Sequence, residues 1–470
     1  MDIEDSINEI FPELRKWITD YYRGIEDLPV KSKSRIREIF GRLPSAPPLN
    51  GESFEKIFGD FNEIIMPGIT HWQSPKFFAY FPANSSVPSI AAEVITAALG
   101  VQGMKWETSP AAAELEEKVM VWLRDMIGLP GTFTGVIQDT ASTSTLASLI
   151  NAREVLSDFS INRSGFSGKE KFRVYCSSEA HSSIEKAVKI TGIGRENLVK
   201  IPVKDDFSMN TVLLEKAIKS DLNTGYTPLC VVAALGTTGS TAIDSLEEIS
   251  GLKKKYGFWL HVDAAHLGTA FLLPEYRKFL KGIEEADTFV FNPHKWMFTN
   301  FDCSAYFLKE RNSLLNTFEI VPEYLKTRSD NAVNNYCDWG IPLGRRFRAL
   351  KLWFVIRSFG VIGLQEKVRG HIELAKMFYE KVSSDRDFEI LAPLTCNLVC
   401  FRYKPAGKSE EELNTINEKL LQRINDSGRI YISHTKLNGK YTLRLVVAQT
   451  NVEKKHVLEA WDAIKTFSKS

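Results

Sequence analysis

Thr288-Phe289-Val290-Phe291-Asn292-Pro293-His294-Lys295-Trp296 reads as a short apolar strand closed by a lysine between two ring side chains. Thirty-two residues before Lys295, a second apolar run, Phe258-Trp259-Leu260-His261-Val262, ends in Asp263. Further upstream, Val174-Tyr175-Cys176 and residues 229–235 are runs of the same kind. Between two of these runs, residues 245–256 carry Leu246, Ile249 and Leu252 at helical spacing, opened by a capping-box pattern of Ser245 and Glu248. Short apolar runs that alternate with helical patterns predict a mostly parallel α/β sheet within residues 86–310.

Ligands of such sheets bind beyond the carboxyl ends of the strands. Thr237-Thr238, Asp263 and Lys295 all fall just past predicted strand ends. A lysine and an acid so placed suit pyridoxal phosphate. The amine condenses with the aldehyde, and the acid keeps the pyridine nitrogen protonated so that the ring draws electrons from the substrate carbon. Thr140-Ala141-Ser142-Thr143-Ser144 follows Val136-Ile137-Gln138 and leads into a helical pattern. Small hydroxyl residues there either cap the helix or offer its N-terminus to an anion. His181 follows the run at Val174-Tyr175-Cys176, where an imidazole can stack on a pyridine ring and move a proton. Residues 328–335 are polar and suggest a mobile loop. Tyr324, at the opening of that segment, could close over a site and deliver a proton while excluding water. His261, Asp263, His266 and His294 supply metal-type donors but lack H-E-x-x-H spacing, and no metal is expected.

The 470 residues are 44% hydrophobic and 25% charged, with a net charge of +1. That is a globular composition long enough for two or three domains, with no nucleic-acid footprint and no apolar run of membrane-spanning length. The six cysteines form no metal-type pair and read as reduced thiols, which points to the cytoplasm. The start of the chain lacks the basic and apolar regions of a signal peptide. Residues 6–24 carry apolar side chains from Ile7 to Tyr21 at helical spacing, with a face for a partner subunit or for its own domain. From residue 386 onward, strand-like Phe388-Glu389-Ile390, residues 398–403, Ile430-Tyr431-Ile432 and residues 441–447 mix with two helical patterns. Asn438-Gly439 is a hairpin turn signal among them. The division read from these patterns is 1–85, an N-terminal helical segment; 86–358, a large cofactor-binding domain; and 359–470, a small α+β domain.

The chain resembles the group II pyridoxal-phosphate-dependent decarboxylases, most of all the aromatic L-amino-acid decarboxylases, along essentially its whole length. The residues that carry the resemblance are Met66-Pro67-Gly68-Ile69-Thr70-His71-Trp72, Phe77-Phe78-Ala79-Tyr80-Phe81-Pro82, Ser109-Pro110-Ala111, Ala180-His181-Ser182-Ser183, His261-Val262-Asp263-Ala264-Ala265, Asn292-Pro293-His294-Lys295-Trp296, and Ile341-Pro342-Leu343-Gly344-Arg345-Arg346-Phe347-Arg348. Residues 135–144 look closer to bacterial members, so a bacterial-like enzyme is expected.

The resemblance implies fold type I, like aspartate aminotransferase, in a homodimer whose N-terminal helices clasp the other subunit and whose site lies near the interface. It implies that Lys295 is the covalent anchor, Asp263 the acid on the pyridine nitrogen, His181 the stacking imidazole and Tyr324 the proton donor. Ala141, Ser142, Asn292 and His294 match cofactor-anchoring positions, and Thr238 and Ala265 adjoin the cofactor. Trp72, Tyr80, Phe81, Pro82, Gln102, Met104, His294 and Gly344 match the substrate pocket. Ala83, Gln102, Met104 and His266 depart from residues common in the family, which bears on substrate preference. Glycine at position 344 goes, among plant relatives, with indolic substrates. The implied reaction is decarboxylation of an aromatic L-amino acid. The alternatives are an aromatic acetaldehyde synthase, a decarboxylase of a non-aromatic amino acid and a non-catalytic cofactor-binding protein.

Overall fold

The computed structural model describes residues 2–320 and 333–469. Tyr324 lies outside the described residues. The chain folds as two compact units. One comprises residues 83–375 and 392–398; the other comprises 1–82, 376–391 and 399–470.

In the first unit, seven strands form one sheet among the described residues. They are β1 (Thr134–Gln138), β2 (Phe172–Ser177), β3 (Leu198–Ile201), β4 (Thr227–Ala234), β5 (Trp259–Asp263), β6 (Thr288–Phe291) and β7 (Ser304–Leu308). Their order is β1-β7-β6-β5-β4-β2-β3. β2 to β6 pair in parallel, while β7 runs antiparallel to both β6 and β1. β1 therefore points the same way as β4, β5 and β6. The sheet is mostly parallel, as the apolar runs predict. β4 is buried from its second residue to its last, and β6 throughout. Leu149, Val174, Val232 and Trp259 join one core cluster between the helix Ala141–Leu156 and the strands. The helix Leu246–Tyr256 begins at Ser245, whose hydroxyl accepts the Glu248 N–H at 3.4 Å.

The topology puts five loops at one edge of the sheet. The carboxyl ends of β1, β2, β4, β5 and β6 and the segments that follow them carry Ala141 and Ser142, His181, Thr238, Asp263 and Lys295. The turn after β4 depends on Gly236. Its φ is +99°, and a Cβ there would lie 2.7 Å from the Leu267 Cβ, so both backbone and space require glycine.

The second unit contains β8 (Phe388–Ile390), β9 (Leu398–Tyr403, from its second residue), β10 (Ser433–Leu437) and β11 (Lys440–Val446), in the order β10-β11-β9-β8. Asn438 and Gly439, at φ +49° and +78°, make the two-residue turn between β10 and β11. Ile430-Tyr431-Ile432 differs from its expected strand. Tyr431 makes a single bridge to Phe77, and regular pairing starts at Ser433. Residues 430–432 are held instead by irregular contacts: Ile432 N–H donates to Asn425 Oδ1, and Phe78 N–H to Tyr431 O. The N-terminal helix, Ile3–Gly24, shares this unit and has no fully buried residue.

Candidate active site

The β5 and β6 ends bring the expected acid and the expected lysine onto neighbouring strands. Asp263 Oδ1 accepts the Ala265 N–H at 3.0 Å, a local turn that fixes the carboxylate on its own loop. Ala265 O accepts the Asn292 N–H at 2.9 Å, so the acid's loop and the lysine's loop are joined by backbone. Lys295 follows in the one-turn helix Pro293–Trp296. It is half-buried and densely surrounded by protein. Desolvation lowers its pKa, and the Asp263 charge opposes that shift. More of the amine is therefore neutral, and so nucleophilic, than on a surface lysine.

His181 interacts electrostatically with both Asp263 and Lys295. It keeps accessible surface, yet surrounding protein lowers its pKa. Desolvation is the largest cause; Asp263 raises the value and Lys295 lowers it. Its Nδ1 accepts the Ser183 N–H at 3.2 Å and lies 2.8 Å from the Ser183 hydroxyl. An acceptor at Nδ1 means a neutral ring with its proton on Nε2. His294 is buried, and its Nδ1 accepts the Cys303 N–H at 2.9 Å. Desolvation, helped by the charge of Lys295, pushes its pKa down to about 3, which leaves this imidazole neutral as well.

Asn84 was not singled out in the sequence. Its Nδ2 donates to Lys295 O at 2.8 Å and its N–H to His294 O at 3.0 Å, so it holds the lysine's backbone. Ser183, which orients His181, was also passed over as a role. The only signal for either is a small polar residue beside a motif, and that is common on any surface.

Gln102, Met104 and Gly344 gather in a second cluster of the same unit. Gln102 Oε1 accepts the Arg345 N–H at 2.6 Å, Gly103 N–H donates to Arg345 O at 2.9 Å, and Met104 O accepts the Cys337 N–H at 3.0 Å. The buried Arg345 guanidinium makes two bonds to Glu116, at 2.6 and 3.0 Å, and one to Ile137 O at 2.7 Å. Trp72, Tyr80, Phe81 and Pro82 belong to the other unit. There Trp72 packs on Phe77 and Tyr80, the Tyr80 hydroxyl lies 3.2 Å from that of Tyr431, and Arg444 faces the Phe81 ring at 5.5 Å.

The residues of the first unit fit pyridoxal phosphate. An amine of lowered pKa stands near a carboxylate that can hold the pyridine proton. Buried Asn292 Oδ1 has no hydrogen-bond partner among the described residues. At the same sheet edge the helix Ala141–Leu156 opens with its N-cap, Thr140, whose hydroxyl accepts the Thr143 N–H, and an anion there meets the positive end of a helix. Among the described residues, no group of three or more metal-ligating side chains is present.

The conserved domain of pyridoxal-dependent decarboxylases matches residues 37–404. Tyrosine decarboxylase 2 of Narcissus pseudonarcissus is 42% identical over 471 residues, 98% of this chain and 93% of the relative. A phenylacetaldehyde synthase of Arabidopsis thaliana is 42% identical over 459 residues, 96% of this chain and 93% of the relative. The crystal structure of Catharanthus roseus tryptophan decarboxylase with L-tryptophan aligns with a TM-score of 0.93 at 38% identity, covering 100% of this chain and 99% of that one. These relatives are plant enzymes, as are six further relatives at 38–43% identity. The expectation of a bacterial-like member is therefore corrected to a plant-type one. It rested on residues 135–144, which form a buried strand and a helix start, so packing and capping restrict their side chains.

Proposed function

The chain belongs to the pyridoxal-dependent decarboxylase family, and from that membership we propose that it converts an aromatic L-amino acid to the corresponding amine and carbon dioxide. Tryptophan, tyrosine, phenylalanine and DOPA are the candidate substrates. The observation that carries the reading is the pairing of Lys295 with Asp263 at adjacent strand ends, in a chain that aligns along nearly its whole length with plant aromatic-amino-acid decarboxylases.

Bound pyridoxal phosphate supplies the electron sink for the pair released as carbon dioxide departs. In this reading Lys295 would hold the cofactor covalently through its amine. Asp263 holds a proton at the pyridine nitrogen. His181, kept neutral and oriented by Ser183, covers the ring. Ala141, Ser142, Asn292 and His294 anchor the cofactor at its phosphate and within the site, beside Thr238 and Ala265. Trp72, Tyr80, Phe81, Pro82, Gln102, Met104, His294 and Gly344 select the substrate side chain. Tyr324 delivers a proton to the former α-carbon. The enzyme acts as a homodimer with its sites near the interface, in the cytoplasm. All six cysteines are buried free thiols, which suits that compartment. No helix among the described residues is long and apolar enough to cross a membrane.

The similarity to a phenylacetaldehyde synthase favours one second reading, the same site run to an aldehyde. Tyr324 and His181 are the residue types that the family resemblance ties to amine formation. Incubation with the four aromatic amino acids, scoring carbon dioxide, amine and hydrogen peroxide together, separates the two. Carbon dioxide and amine in equal amounts without peroxide are expected from the native protein. Tyr324→Phe is expected to lose amine and to form aldehyde, ammonia and peroxide in the presence of oxygen. Aldehyde and peroxide from the native protein would establish the second reading, and no product from any of the four would defeat both.

A further inference from the structure

Trp296 is among the largest wholly buried side chains, and it adjoins Lys295 in the chain. Its indole stacks on His266, with centroids 5.1 Å apart and planes 12° from parallel. Its Nε1–H donates to His371 Nδ1 at 2.9 Å, and the His371 ring lies 16° from the indole plane. An indole N–H points along the ring plane, so His371 holds the edge of the indole while His266 holds a face. His266 is fixed in turn, with Nε2 lying 3.0 Å from Asn397 Oδ1. His266, His371 and Asn397 are 1%, 4% and 0% exposed.

Burying polar rings and an amide costs more than burying leucine or phenylalanine of similar volume unless every bond is well made. Packing alone does not call for them. What the group does have is a particular place in the chain. His266 lies three residues after Asp263, and Trp296 one after Lys295. The clamp thus ties the acid-bearing segment to the lysine-bearing segment with side chains, in addition to the backbone bonds from Asn292 N–H to Ala265 O and from Ala264 N–H to Val290 O.

We propose that His266, Trp296 and His371 form a positioning clamp that sets the separation between the Lys295 amine and the Asp263 carboxylate. The three are positioning residues, not catalytic ones, because they act through their chain neighbours. The proposal rests on the reading of Lys295 as the covalent anchor. Its consequence is electrostatic. The interaction of two charges depends on their separation, so a loosened clamp changes the proton affinity of the lysine-linked cofactor.

The test is a pH titration of the visible absorbance of the holoenzyme, with the melting temperature measured alongside. His371→Leu removes the acceptor, and Trp296→Phe removes the donor while keeping a ring. Both are expected to move the titration midpoint in the same direction, by about one pH unit. His371→Gln keeps an acceptor and is expected to restore the native midpoint. If His371→Leu does not fold, Trp296→Phe carries the comparison. Native midpoints in all the folded variants, even with lowered melting temperatures, would reduce the clamp to packing and overturn the proposal. Borohydride reduction of the native holoenzyme distinguishes the two levels of failure. A reduced cofactor on another lysine overturns both the anchor and the clamp, whereas a tag on Lys295 with unmoved midpoints overturns the clamp alone.

Discussion

Gln102 and Gly344 are linked by a contact that neither residue type advertises. A Cβ on Gly344 would stand 3.2 Å from Gln102 Nε2, and the same amide is pinned through its Oε1 to the Arg345 N–H. A side chain at 344 must therefore displace the amide or strain its bond. We expect native turnover of tryptophan, and a shift toward tyrosine or DOPA in Gly344→Ser. We also expect that shift to be larger once Gln102→Ala has cleared the space, with a coupling of about 1 kcal/mol between the two sites. Values of kcat/KM for tryptophan and tyrosine across the four proteins measure it; strictly additive effects would contradict the contact. At this scale the sequence was most legible where chemistry is local. Lys295 and Asp263 stand out because a strand end, an ionisable group and flanking rings coincide within a few residues. Asn84 was not legible, because its bonds to the Lys295 and His294 backbone join positions more than two hundred residues apart.

A buried polar chain joins the helix Ala141–Leu156 to β5 and β6. His261 Nε2 lies 3.2 Å from the Thr145 hydroxyl, and Nδ1 lies 2.9 Å from that of Thr288. Thr288 bonds Ser148 at 2.7 Å, and Ser148 accepts the Trp259 indole N–H at 3.0 Å. Desolvation pushes the His261 pKa from 6.5 down to about 4, against the pull of Asp263. A depressed folded pKa gives stability that is complete above pH 6.5 and lost as pH falls toward 4. The loss amounts to about 3 kcal/mol once the ring is forced to protonate. His261→Gln removes the titrating ring. Its melting temperature should fall less steeply than the native one between pH 6.5 and 4, and parallel curves would contradict this. Elements were readable in the sequence where one pattern sufficed. Asn438-Gly439 supplies both positive φ angles of its turn, and the doubly buried strands show as unbroken apolar runs. Ile430-Tyr431-Ile432 misled because its apolar character serves irregular contacts with residues 77 and 78, which no local period records.

For the whole molecule, the fold class followed from the alternation of strand and helix, but lineage did not. Residues 135–144 are constrained by the strand and helix they form, so they say little about plant or bacterial ancestry. The helix Ile3–Gly24 leaves Ile7 and Phe11 each 47% exposed in the single chain. We expect the full chain to sediment as a dimer and a chain lacking residues 1–24 to dissociate at micromolar concentration. An equally stable dimer without them would contradict the clasping role.

The central claim is that pyridoxal phosphate is held covalently on Lys295. Borohydride reduction of the native protein, followed by proteolysis and mass mapping, tests it most directly. One phosphopyridoxyl peptide is predicted, the one containing Lys295, together with loss of that tag in Lys295→Ala. A tag on a different lysine, or an untagged native protein that still decarboxylates, would contradict the account.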